Sequence, residues 1–333
     1  MVEEVLSRRV STDEPSHEHA ISVVIPTYGR PELLRRVVAS AAAQLGPADE
    51  IVVVDDGSPE DVEAALAGLA EVRVVRQDNS GVGIARNRGL DEATAPWALV
   101  VDDDDELIPG ALDAIRREIP RWEARASFPV LTFASSNATL PFGEAALTFE
   151  DYALGRFRGD LIPLIHRQRF FAAGYRYPDT RVGGEHLLWY RIAADTTIPA
   201  SSLLVVQKHD DALERLTSGE MHLRRAVEHA ELQEETLARF GEALREVSAD
   251  VYARRRLGAA TFRLLSGDKR RAREHLRRSG LSPFDRRRAG LWVATLLPNA
   301  LVGSLFLRYR RRQWRRAAGA GVESLPEGAG TAD

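Results

Sequence analysis

The chain has 333 residues, 44% hydrophobic and 28% charged, which is ordinary for a soluble globular protein. That length suffices for one large α/β domain with additions, or for two domains. There is no cysteine, which excludes disulfides, thiolate metal sites and a cysteine nucleophile together, and is compatible with the cytoplasm. The net charge of −4 conceals a division: residues 251–316 carry 19 Arg and Lys against 3 acids, and the rest 26 against 46. A basic end of this kind is suited to a polyanion.

Residues 1–19 are acidic and polar, lack the apolar core of a secretory signal, and read as a flexible tail. From Ala20 short β-branched runs alternate with helical spacing. Residues 21–25 predict a strand; Pro31 then stands at a first helical position, and Leu33, Leu34, Val37, Val38 and Ala41 give helical spacing. Residues 50–54 predict a second strand ending in Asp55-Asp56-Gly57-Ser58, and 59–69 a second helix. A strand at 72–75, a glycine-rich loop at 77–83, a helix at 84–92 and a strand at 97–101 follow. Such alternation means a parallel sheet with right-handed crossovers.

Polar residues gather just after those strands: Thr27 and Tyr28, Asp55 and Asp56, Asn79, then Asp102, Asp103, Asp104 and Asp105. In open α/β sheets ligands bind outside the carboxyl ends of the strands. Four adjacent carboxylates repel one another and stay ionised only with solvent or a cation, so hard Mg²⁺ or Mn²⁺ is one reading. A solvated acidic turn before Pro109 and Gly110 is the other. The chain has no G-x-x-x-x-G-K-[ST], and Ser80-Gly81-Val82-Gly83 lacks the third glycine of a dinucleotide fingerprint. Both observations argue against a P-loop NTPase and a Rossmann dehydrogenase.

VVIPTYGRPELL (23–34), VVVDDGS (52–58), QDNSGVGIARNRG (77–89) and VVDDDDELIPG (100–110), in this order and spacing, resemble a family 2 glycosyltransferase of the GT-A fold. The resemblance implies a mainly parallel sheet flanked by helices, a nucleotide-sugar donor with UDP favoured, a divalent metal (Mn²⁺ or Mg²⁺) and inversion at the anomeric carbon. By position, Pro26, Thr27 and Tyr28 would floor the nucleotide pocket, and Asp56 or Asp55 would accept a hydrogen bond from the base. Arg86 would approach the ribose or diphosphate. Asn79 and Asn87 would brace the loop, Asn79 beside the donor. Asp102 and Asp104 take the outer places of the D-x-D motif: Asp104 would bind metal, while Asp102, with Asp103 beside it, would face the ribose or share the metal.

Beyond Gly110, residues 128–134 predict a strand, and IHRQRFFAAGYRYPD (165–179) resembles the family's approach to its catalytic segment. Family members carry Glu-Asp where this chain has Glu185-His186, and the Asp takes the acceptor's proton. His186 could be the base, since an unperturbed pKa of ~6.5 suits the task. Glu185, a carboxylate like the usual base, is preferred; an inactive site is a third reading. His209 resembles a position where His completes metal or diphosphate binding, or it is an ordinary loop histidine.

Residues 221–240 predict an amphipathic helix, and 251–265 with 269–278 a helical pair resembling a single tetratricopeptide-like unit, read as packing on the catalytic domain. Residues 289–307 are uncharged and flanked by arginines. They are borderline in length for a span and interrupted by Pro298. An element lying on an anionic membrane surface fits better, with a buried core helix as the alternative. No nucleic-acid motif accompanies the charge, and no nucleic acid is expected as partner.

The division expected is a donor half (20–115), an acceptor half (116–212), a helical region (213–285), a membrane-associating segment (286–318) and a disordered tail (319–333). The whole reads as a metal-dependent inverting glycosyltransferase, peripheral on the cytoplasmic face of the membrane, with a glycan or lipid-linked acceptor. The rivals are a sugar-phosphate nucleotidyltransferase and an inactive nucleotide-sugar-binding or membrane scaffold.

Overall fold

Four parallel strands come first, as the alternation with helices requires. β1 (Ile21–Thr27), α1 (Pro31–Ala42), β2 (Glu50–Asp55), α2 (Val62–Ala65), β3 (Arg73–Arg76), α3 (Val82–Glu92) and β4 (Trp97–Val100) succeed one another. They lie in the order β3-β2-β1-β4, with Thr27 opposite Asp55 and Asp55 opposite Arg76, so three strand ends are level. The computed structural model describes residues 17–69, 72–140, 143–209 and 219–319.

The second half contributes β5 (Asp105–Leu107), α4 (Ala111–Glu123), β6 (Val130–Ser135), β7 (Ala145–Leu147), α5 (Phe149–Leu154), β8 (Leu161–His166), α6 (Arg167–Ala172), α7 (Glu185–Asp195) and β9 (Ile198–Lys208). The sheet runs β3-β2-β1-β4-β8-β6-β9-β5, with β7 also on β9. Here β4–β8, β6–β8, β5–β9 and β7–β9 are antiparallel and β6–β9 parallel. The sheet is therefore parallel across β1–β4 and mixed beyond.

Alternate residues of β1 feed opposite faces of the sheet. Val23 and Ile25 join Leu34, Val38, Leu112 and Ile115 on one side; Val24 joins Val54, Ala85, Leu90 and Ile192 on the other. Each such side chain contributes roughly 1.5–3 kcal/mol on burial. α3 lies especially close: a Cβ on Gly89 would stand 2.3 Å from Val24 Cγ1.

The rest is helical: α8 (Gly219–Arg224), α9 (Ala226–Val247), α10 (Ala249–Leu265), α11 (Lys269–Arg278), α12 (Arg286–Ala294) and α13 (Asn299–Gly319). Three expectations change. The helix at 59–69 shrinks to α2, because Asp61 caps its start by accepting from Ala64 N and Gly68 turns at φ +79° soon after. The helix at 221–240 is interrupted at Arg225, and its main part runs on to Val247, where Ser248 caps α10. The apolar stretch 289–307 is broken before Pro298, whose ring and missing N–H interrupt a helix. Among the described residues no helix is long and apolar enough to cross a membrane. Residues 17–19 of the expected N-terminal tail form a 3-10 turn; 1–16 and 320–333 lie outside the described residues.

Candidate active site

The aspartate run is neither a free turn nor uniformly exposed. β4 ends at Val100, Asp105 N donates to Asp102 O at 3.3 Å, and Asp105 already belongs to β5, paired with Lys208 of β9. Asp103 and Asp105 are buried, while Asp102 and Asp104 are half-buried.

Each carboxylate has a different neighbour. Asp103 accepts from Thr27 Oγ1 at 2.8 Å and Arg30 Nη1 at 3.0 Å, so it ties the Asp run to the end of β1. Asp104 lies 3.6 Å from Arg30 Nη1, and its carbonyl accepts from Arg36 Nη2 at 2.9 Å. Asp102 accepts from Arg86 Nη2 at 2.5 Å. Lys208 Nζ is 2.8 Å from Asp105 Oδ2, 3.6 Å from Asp102 Oδ2 and 3.5 Å from Asp160 Oδ2.

Burial opposes ionisation of Asp102, but Arg86 and then Lys208 outweigh it and hold its carboxyl well below the usual range. Burial raises Asp103 to about 6 against the pull of Arg30, and burial with the charge of Asp102 raises Asp105 to about 7. Asp104 is raised by the same two causes. The four acids thus differ because burial raises three of them, while only at Asp102 do the neighbouring cations outweigh it.

Arg86 is the hub. It is buried on α3, its guanidinium pairs with Asp102 on one side and with Glu185 on the other, and its Cζ lies 5.4 Å from the Tyr177 ring centroid. Burial alone would lower its pKa, but Glu185 and then Asp102 hold it well above the ordinary arginine value. Gly183 and Gly184, at φ +81° and +98°, make the turn that starts α7 with Glu185 aimed at Arg86. A side chain on Gly184 would also stand 3.0 Å from Leu232 Cδ1.

His186 points the other way. Its Nε2 is 2.8 Å from Thr236 Oγ1 on α9 and its ring packs edge-on to Tyr190. Burial and then Arg255 push its pKa well below the ordinary value, leaving a neutral imidazole at pH 7. His209 is likewise set apart from the aspartates: its Nε2 is 3.0 Å from Glu106 Oε2.

Around the glycine loop, Asp56 accepts from Gln77 Nε2, Ser80 N and Gly81 N, each at 2.8 Å. Asp55 accepts from Ser58 N at 2.7 Å and Arg76 Nη1 at 2.6 Å. Asp56 thus holds the glycine loop, while Asp55 holds the Ser58 turn and the end of β3, and a carboxylate's remaining lone pairs limit what else it can accept. Asn79 contributes its carbonyl to Arg181 Nη2 at 2.9 Å. Pro26 and Thr27 are buried and Tyr28 is 51% exposed at the mouth.

A divalent cation fits these residues. Asp102, Asp104 and Asp105 each offer a carboxylate oxygen within 4.8 Å of the others, and Asp105 Oδ1 is buried with no hydrogen-bond partner. All are hard oxygen donors of the kind Mg²⁺ and Mn²⁺ take. Sequence reading placed Asp102 and Asp104 here but not Arg30, Lys208 or Asp160. Lys208 had one visible signal, being one of two lysines in a chain otherwise using arginine.

Residues 22–176 match the family model described as glycosyl transferase family 2. This segment is similar to glycosyltransferase family 2. Similar curated proteins include GalNAc(5)-diNAcBac-PP-undecaprenol beta-1,3-glucosyltransferase of Campylobacter jejuni, 24% identical over 184 residues covering 52% of this chain and 59% of that protein. Succinoglycan biosynthesis protein ExoW of Rhizobium meliloti is 37% identical over 120 residues, 34% of this chain and 38% of that one. The chain therefore spans between about two fifths and three fifths of these two relatives. Among solved structures, S. aureus TarS 1-349 in complex with UDP-GlcNAc aligns over 78% of this chain and 90% of its own, with TM-score 0.51 and 17% identity. That likeness shows the fold: a GT-A-like sheet flanked by helices.

Proposed function

We propose that the chain transfers a sugar from a nucleoside-diphosphate donor, UDP-linked for preference, to a hydroxyl of a lipid-linked or cell-surface glycan precursor, with inversion. The observation that carries this reading is the buried Arg86 joining Asp102, in the donor half, to Glu185, in the acceptor half. It sets a carboxylate base beside a cation-binding carboxylate across one cleft.

Pro26, Thr27 and Tyr28 border the nucleotide, and Asp55 and Asp56 hold the turn and the loop that frame it. Glu185 accepts the proton of the acceptor hydroxyl as that oxygen attacks the anomeric carbon. Arg86 orients Glu185 and compensates its charge. A divalent cation held by Asp102, Asp104 and Asp105 would offset the charge developing on the departing diphosphate. His186 serves the packing of α7 on α9.

The C-terminal helices give the enzyme a place to work. Phe284, Val293, Leu296, Leu301, Leu305 and Tyr309 are exposed on α12, α13 and their approaches, Phe284 at 90% and Leu296 at 75%. Exposed Arg286 and Arg308 flank them. Apolar side chains bordered by arginine suit the headgroup region of an anionic leaflet, and this reading puts the protein peripherally on the cytoplasmic face.

The deciding experiment incubates the protein with UDP-sugars, Mn²⁺ and a panel of polyprenyl-linked glycan acceptors, following product and anomeric configuration by NMR. Transfer with inversion is expected, and E185Q should lose it while still binding UDP. Full transfer by a folded E185Q would sink the assignment of the base.

A further inference from the structure

We propose that Lys208 is a resident counter-cation of the aspartate site, which a divalent ion must displace, so that the nucleotide-free protein holds Mn²⁺ weakly. The inference rests on reading Asp102, Asp104 and Asp105 as the cation site.

The geometry is specific. Arg86 reaches Asp102 and Arg30 reaches Asp104, whereas Lys208 bridges two of the three carboxylates, at 2.8 Å from Asp105 and 3.6 Å from Asp102. The ammonium is a compact point charge with three donors, so it occupies much of the space and charge that a metal would use. An ion seated on these oxygens would lie against a like charge. The buried Asp105 Oδ1, which has no hydrogen-bond partner, marks where a ligand can still be gained.

The fold also provides a retreat. Asp160, just before β8, has its Oδ2 3.5 Å from Lys208 Nζ, accepts there from Asn137 Nδ2 at 3.2 Å, and has its side chain 61% exposed, whereas Asp105 is buried. The four-carbon stem of Lys208 can turn towards Asp160 without moving β9. A nucleoside diphosphate arriving with the ion brings further negative charge, so nucleotide and ion each favour the other's binding. Lys208 thereby makes ion binding conditional on the nucleotide, a coupling between two ligands.

The test is Mn²⁺ binding, read by electron paramagnetic resonance and calorimetry on the full chain, with and without UDP and with no sugar transfer involved. K208Q should bind Mn²⁺ about tenfold tighter than wild type without nucleotide and gain less from UDP. K208R, which keeps the charge, should bind as weakly as wild type. D160N, which removes the retreat, should bind more weakly still, and it keeps the idea testable should K208Q fail to fold. Equal or weaker binding by a folded K208Q, or unchanged binding by D160N, would overturn the role of Lys208 while leaving the cation site standing. No Mn²⁺ bound by any variant, even with UDP, would overturn both.

Discussion

Asn87 and Tyr177 are joined by a reciprocal pair of hydrogen bonds: Asn87 Nδ2 donates to Tyr177 O and Tyr177 N donates to Asn87 Oδ1, each at 2.9 Å. One side chain on α3 thus replaces a strand partner for the segment that leads to Glu185. Because Arg86 is the preceding residue, the clamp also fixes the ring over which that guanidinium lies. N87A leaves Tyr177 N without this acceptor in a buried setting and should destabilise the protein by roughly 1–3 kcal/mol. Urea denaturation measures it; a loss well under that range would mean that water replaces the amide.

His186 separates two kinds of base. With its pKa held low by burial and Arg255, it gives no titration limb between pH 6 and 8. H186Q should fold, keep most of the transfer activity and leave the pH–rate profile unchanged in that window. A lost limb near pH 6.5, with donor binding intact, would return the proton to His186.

His229 links acidity to stability. Its ring packs against both His222 and Phe262, at centroid distances of 4.6 and 4.7 Å, and burial with the charges of His222 and Arg225 lowers its pKa to about 4. Between pH 6.5 and 4 the unfolded chain binds the proton that the folded chain refuses, so this residue costs stability as pH falls through that window. Asp103 and Asp105, with raised values, act in the opposite sense, so the whole-protein curve is mixed. The comparison with H229F isolates the histidine: the difference in melting temperature should move in favour of H229F from pH 6.5 to 4. A difference that does not vary with pH would refute the linkage.

Leu296 lies between α12 and α13 and Leu301 in the first turn of α13, and both are exposed. A L296E/L301E protein should float poorly with phosphatidylglycerol vesicles on a density gradient, while its melting temperature stays near wild type because both positions are exposed. Equal flotation of the two proteins would remove this face from the membrane reading.

The parallel part of the sheet, β1–β4, was legible because its signals are local. β-branched runs, Pro31 and the glycine loop each specify their own strand, helix or turn, and the polar residues after them converge once the strands are parallel. The choice between Glu185 and His186 was not legible. Adjacent residues on a helix point about 100° apart, so only one can face Arg86, and the backbone of Gly183 and Gly184 decides which. Lys208 escaped for a different reason: it lies over a hundred positions from Asp102, and only the β5–β9 pairing brings it there. The interruption at Arg225 carries neither proline nor glycine, so the helical pattern runs through it unmarked.

Arg86 also bears on how such enzymes can be rebuilt. It sits on α3, but one of its two carboxylates is supplied by α7, 99 residues further on. A chimera that exchanges residues 116–212 for those of a relative inherits a buried guanidinium with half its compensation missing unless the graft brings an acid to the place of Glu185. Libraries aimed at new acceptors should therefore hold that carboxylate and the two glycines before it constant, and diversify the surfaces around them.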